Sequence, residues 1–137
     1  MPTRKATAEW QGDLATGKGT FKGQSGAIGG AYSFKTRFEE APGTNPEELI
    51  GAAHASCFSM ALSHMLASAG HVPASVKTES AVTIENLKIS KIKLTTEGKV
   101  PGIDAATFKE FAEKAKAGCP VSVALSAVPI ELETKFV

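Results

Sequence analysis

The chain has 137 residues, 42% of them hydrophobic, enough for the core of one small domain. Fifteen basic and 14 acidic residues are mixed along it for a net charge of +1, so it carries no basic footprint for nucleic acid or anionic lipid. The opening MPTRKATAEW lacks the apolar run of a secretory signal, and a cytoplasmic location is expected.

In chain order, Lys5–Trp10, Gly19–Lys22 and Tyr32–Phe38 read as three strands of a β-meander separated by Gly-rich turns. The glycine spacings are not followed by the strand–turn–helix context of a phosphate loop. Asn45 is a plausible N-cap, with Pro46 at N1 and Glu48 at the reciprocal position of a capping box. The helix that follows is predicted to run to about Ala69 and stop at Gly70, a length of about 36 Å. It holds no Asp, Glu, Lys or Arg from Leu49 to Ala69. That stretch is long enough to raise the question of a membrane span. His54, Ser56, Ser59, Ser63, His64 and the many alanines argue instead for a water-soluble helix buried on most sides, and no membrane partner is expected. Val76–Glu85 and Ser90–Val100 alternate as a hairpin around Asn86. Asp104 caps a second helix, Ala105–Ala117, with Phe108, Phe111, Ala112 and Ala115 on one face. Pro120–Leu125 suggests one helical turn, and Ile130, Leu132 and Thr134 a final strand. The order βββ-α-ββ-α-β predicts a single α+β domain with largely antiparallel strands.

The only cysteines, Cys57 and Cys119, differ in setting. Cys57 lies in the middle of the apolar helix. Cys119 lies between the helix-stopping Gly118 and the helix-starting Pro120, at or beside an N-cap whose amides would lower its pKa. Two cysteines in a reducing compartment suggest reactive or metal-binding roles more than a permanent crosslink, and each could also be a small buried hydrophobe. As a pair they can serve as nucleophile and resolver. Burial would raise the pKa of Cys57, so a reactive Cys57 needs a cation. Arg37, in KTRFEE at a strand end, is the candidate, although pairing with Glu39 at the surface is the plainer reading. A buried arginine needs an anion in turn. Glu47 lies within about 80° of Cys57 on the helical wheel, with Glu48 on the opposite side, so Glu47 takes that role. It could also be a first-turn acid favouring the helix dipole. On a straight helix Glu47 and Cys57 are roughly 15 Å apart. Either the loop folds back, or Arg37 and Glu47 reach the cysteine of a second subunit.

His54 precedes Cys57 by one turn and His64 follows it by about two. A Cys/His metal cluster lacks the usual ligand spacing. His54 could be a base for Cys57, but a satisfied core histidine is the plainer account. Phe58, Met60, Leu62, Met65 and Leu66 read as core packing; the sharper alternative is an apolar funnel that favours organic hydroperoxides.

The segment TRFEEAPGTNPEELIGAAHASCFSMAL, with KVPGID and KAKAGCPVS downstream, resembles the OsmC/Ohr family of hydroperoxide reductases over nearly the whole chain. The resemblance implies an intertwined homodimer with long central helices between sheets and two active sites at the subunit interface. It implies a thiol peroxidase in which Cys57 attacks the organic hydroperoxide and becomes a sulfenic acid, Cys119 condenses with it to a disulfide, and an arginine–glutamate pair holds thiolate and substrate. Glu47 matches the family's glutamate. In the Ohr branch the arginine comes from an earlier position, where this chain has Lys18 and Lys22; in the OsmC branch the TRFE arginine, here Arg37, fits. An external dithiol, in the family often a protein-bound lipoyl group, restores the cysteines, and no metal, flavin or haem is implied. A non-catalytic dimeric binding protein and a metal-binding domain are the competing classes; a general disulfide oxidoreductase ranks lower, for want of C-x-x-C spacing.

Overall fold

The structure, a computed structural model, describes residues 1–137. The chain divides into two compact units, Met1–Leu49 and Ile50–Val137.

In the first unit, β1 (Ala6–Gln11), β2 (Lys18–Gly23) and β3 (Gly29–Tyr32) form an antiparallel meander in that order. Trp10 faces Gly19, which faces Tyr32. The two rings close over the glycine, where a Cβ would lie 2.6 Å from Tyr32 and 2.8 Å from Trp10. The expected strand through Phe38 stops at Tyr32, because Ser33 and Thr36 form a reciprocal capping box that starts a short helix, α1 (Phe34–Phe38). Arg37 is therefore helical, and Phe34 and Phe38 stack one turn apart with centroids 5.0 Å apart. No apolar side chain of this unit is fully buried.

The long helix α2 (Pro46–Ser68) starts as expected at Asn45, whose side chain accepts from the Glu48 N–H at 2.8 Å. The expected capping box is only half made. The Glu48 carboxylate accepts from the Thr44 hydroxyl at 2.7 Å rather than turning back to Asn45. At the other end Gly70, with φ +89°, and the bond from His71 N–H to Leu66 C=O close a left-handed C-terminal motif.

The second unit holds the core. β4 (Ser75–Glu85) and β5 (Lys88–Lys99) pair antiparallel through a tight turn in which Asn86 and Leu87 both have positive φ. β6 (Ile130–Phe136) pairs with β5 in parallel, the one parallel pairing in a set of strands that is otherwise antiparallel, as expected. The connection through α3 (Ala105–Gly118) and α4 (Pro120–Ala124) is long enough to return the chain in the same direction. Asp104 caps α3 by accepting from Thr107 N–H at 2.8 Å.

One face of this sheet presents Ile92, Leu94 and Thr96 to Phe58, Leu62 and Leu66 of α2 and to Phe108, Ala112 and Ala115 of α3. The other face carries Lys77, Glu79, Lys93, Glu97, Glu133 and Lys135. The contact at Gly98 is tight: a Cβ there would sit 2.2 Å from the Phe108 ring, so only glycine lets α3 settle this closely on β5. A hydroxyl chain, Ser59 to Thr78 at 2.8 Å and Thr78 to Thr96 at 2.9 Å, ties α2 to the sheet.

The expectation that α2 is buried on most sides does not hold within one chain. Its inward stripe is His54, Phe58, Leu62 and Leu66; Ala53, Ser56, Met60, His64 and Ala67 face outward, with Met60 74% exposed. The outward stripe is as uncharged as the inward one. By length and composition α2 could cross a membrane, a test that the core helix of a soluble protein also passes.

Candidate active site

The first group of chemically able side chains lies where α2 meets the joint between α3 and α4. Gly118 ends α3 and Pro120 starts α4, so Cys119 is C-cap to one and N-cap to the other. Its N–H bonds to Ala115 C=O at 2.8 Å, and its side chain is fully buried. Cys57, half-buried on α2, meets it. Both thiols are free, and each influences the ionisation of the other.

Burial is the largest influence on both sulfurs and opposes ionisation. At Cys57 it prevails, and donation of the S–H to Cys119 adds to it, so this thiol is pushed above its ordinary range. At Cys119 the Cys57 donor, the Ser122 N–H and hydroxyl, and the Val121 N–H together outweigh burial and hold the thiol below its ordinary range. The direction agrees with the expected lowering at Cys119, but the partner thiol is its foremost cause, and the sulfur makes no capping hydrogen bond to α4.

His54 completes this group. It is fully buried, and its Nε2 lies 2.7 Å from Ser122 Oγ. Burial depresses its pKa. This is the expected core histidine, but only half satisfied, since Nδ1 is buried without a partner. Ser122 was not singled out from sequence. Its signal was its place three residues after Cys119, where a helix-start side chain can turn back toward the cap.

The second group lies in the first unit. Arg37 grips Glu47 with Nη2 at 2.7 Å from Oε1 and Nε at 3.2 Å from each carboxylate oxygen. The Glu47 side chain is 8% exposed and that of Arg37 37%. The hydrogen bonds to Glu47 raise the Arg37 pKa further, so the guanidinium is permanently charged. Glu47, not Glu39, is its partner. Beside Arg37 opens a cleft of about 260 Å³ walled by Trp10, Leu14, Tyr32, Phe34 and Phe38. Of the four predicted site residues the fold thus brings together Cys57 with Cys119 and Arg37 with Glu47. No cluster of three or more His, Cys, Asp or Glu side chains converges as metal ligands would.

The chain is thus an α+β protein with two three-stranded sheets, one cysteine on its long apolar helix and the other at the α3–α4 joint. Residues 38–133 match the family model described as OsmC-like protein, and the chain belongs to the OsmC-like family. Among curated proteins it is 54% identical to Peroxiredoxin OsmC of Escherichia coli K12 over 129 residues, 90% of each chain. Among solved structures it is similar to the organic hydroperoxide resistance protein OhrB of Bacillus subtilis, with TM-score 0.74, 25% identity, and 97% and 98% of the two chains covered. The organic hydroperoxide resistance protein of Elizabethkingia anophelis superposes with TM-score 0.81 at 24% identity, covering 100% and 98% of the two chains, which supports the fold.

Proposed function

We propose that the protein is a thiol-dependent peroxidase that reduces organic hydroperoxides, and hydrogen peroxide more weakly, to alcohols in defence against oxidative and osmotic stress. The observation that carries this reading is the placing of two free cysteines, Cys57 and Cys119, together at the core of the second unit, the first held above and the second below the ordinary thiol range. The 54% identity to a peroxiredoxin over 90% of both chains supports peroxidase activity.

The Cys57 thiolate attacks the distal peroxide oxygen. The O–O bond breaks, Cys57 becomes a sulfenic acid, and the alkoxide leaves as alcohol after taking a proton. Cys57 reacts once its own proton has left, and Arg37, held by Glu47, is the cation assigned to the nucleophile and the peroxide oxygens. Cys119 then attacks the sulfenic sulfur, the S–S bond forms and hydroxide leaves as water. An external dithiol, a lipoyl protein being one such donor, returns two electrons. The ring-walled cleft beside Arg37 favours an apolar substituent on the peroxide.

The active unit is a cytoplasmic homodimer of single-domain chains. The uncharged outward stripe of α2 and the absence of buried apolar side chains in the first unit support this, because both leave apolar surface that a second copy would cover. Anaerobic titration of pre-reduced protein with cumene hydroperoxide tests the chemistry. Loss of both thiols per equivalent, with an intact mass lower by two hydrogens and no oxygen retained, is expected. Thiol loss no faster than that of a free cysteine would overturn the reading.

A further inference from the structure

The peroxidase reading leaves one step without a device. While both cysteines are reduced, the foremost group lowering the Cys119 pKa is the Cys57 S–H. Once Cys57 is a sulfenic acid that S–H no longer exists, yet this is the moment at which Cys119 must be a thiolate. Besides Cys57 on α2, the groups acting on Cys119 are Val121 and Ser122 of α4.

The tautomer of His54 sets what Ser122 can do. His54 is neutral, since burial disfavours its charged form and no charged side chain offsets that. A neutral imidazole carries one N–H. Were it on Nδ1, a fully buried donor would have no acceptor, because Nδ1 has no partner. On Nε2 it donates to Ser122 Oγ across 2.7 Å and leaves only a bare lone pair buried. A hydroxyl that already accepts from His54 is free to direct its own single hydrogen elsewhere, and the buried sulfur nearest in the chain is that of Cys119, the N-cap of α4 three residues before Ser122.

We propose that His54 and Ser122 form a polarised donor chain, Nε2–H to Oγ and Oγ–H to Sγ, that holds Cys119 as a thiolate for the resolving step. Ser122 touches the reacting sulfur. His54 is a positioning residue, one turn from Cys57 on the same helix, acting by fixing the direction of the Ser122 hydroxyl. The step balances as Cys119 thiolate attack on the Cys57 sulfenic sulfur: the S–S bond forms, the S–O bond breaks, Cys119 is oxidised as the sulfenic sulfur is reduced, and hydroxide takes a proton from solvent. The proposal rests on the peroxidase reading for its purpose but not for its test.

Cys119 is the sole thiol in a Cys57→Ser background, where ultraviolet thiolate absorbance follows its ionisation without any peroxide. Adding Ser122→Ala or His54→Leu should move the midpoint upward. His54→Gln, whose amide can donate but cannot take up a proton in this range, should restore it. In the two-cysteine protein, Ser122→Ala should lengthen the life of the Cys57 sulfenate, trapped by dimedone and counted by mass, about tenfold. Midpoints unmoved by Ser122→Ala would overturn the chain outright. So would His54→Gln behaving like His54→Leu, which would make His54 a proton acceptor instead. Moved midpoints in a protein that consumes no hydroperoxide would defeat the peroxidase reading and leave the donor chain standing.

Discussion

The two units treat their reactive groups in opposite ways. In the second, Cys57, Cys119, His54 and Ser122 sit in or beside the core, where burial is the largest influence on the ionisation of both sulfurs and of the imidazole. In the first, no apolar side chain is fully buried, and a formal ion pair with one partner 37% exposed supplies a charge that no ordinary pH removes. Burial makes thiols tunable because each hydrogen bond counts for more in a low dielectric. A guanidinium needs no tuning, only aim, and a carboxylate held bidentately supplies that.

The largest effect that would break this contrast is at Cys57. Cys57→Ser should lower hydroperoxide turnover at least about a hundredfold with an unchanged unfolding midpoint. Residual activity above a tenth, in a coupled peroxide assay, would remove Cys57 as nucleophile. Glu47→Gln keeps the shape but loosens the aim of Arg37. Its kcat/KM should fall about tenfold, while Arg37→Met should fall at least as far; a Glu47→Gln enzyme with wild-type kcat/KM would reduce the pair to a structural contact. Met60→Glu puts a charge on the outward stripe of α2 and should weaken self-association by about two orders of magnitude by analytical ultracentrifugation, as a charge buried at an interface does.

The units also differ in what was legible in the sequence. Periodicity exposed α3 and the β4–β5 hairpin, because each alternates apolar residues against a core, whereas α2 is legible from its Asn45–Pro46 start, its charge-free run and the stop at Gly70. α1 was read as strand because its capping box, Ser33 with Thr36, is short and lies in a segment rich in aromatics. The parallel placement of β6 could not be read at all, since pairing direction is settled by the path of α3 and α4 rather than by residues in the strand. Cys57, Cys119, Arg37 and Glu47 stood out by residue type. The partner of Arg37 was ambiguous between Glu39 and Glu47 until the loop after α1 returned the chain to Asn45, whose Nδ2 bonds Thr36 C=O at 3.0 Å. Ser122 escaped notice because a serine three residues past a helix start is ordinary until its neighbours are known.

Two smaller effects sharpen the contrast from the core side. Gly98→Ala should destabilise by about 1–3 kcal/mol, because Phe108 and the Phe136 ring packed on it must shift together; a denaturant midpoint at the wild-type value would show that α3 can slide. For His54 the folded pKa is depressed, so the unfolded chain binds the proton more readily. Stability should therefore decline as pH falls below about 6.5, the ordinary value, toward the folded one. That component of the thermal midpoint's pH slope should be absent in His54→Gln, and its persistence would assign the slope elsewhere.

The meeting of Cys57 and Cys119 has a consequence for the chain as a polymer. They are roughly sixty residues apart in sequence, so joining them removes loop entropy from the unfolded ensemble equivalent to about 4 kcal/mol. The oxidised protein, spent and awaiting electrons, would then be the form that resists heat and proteolysis best. Under the proposed cycle, reduction would return the protein to work and, in the same act, to a shorter life.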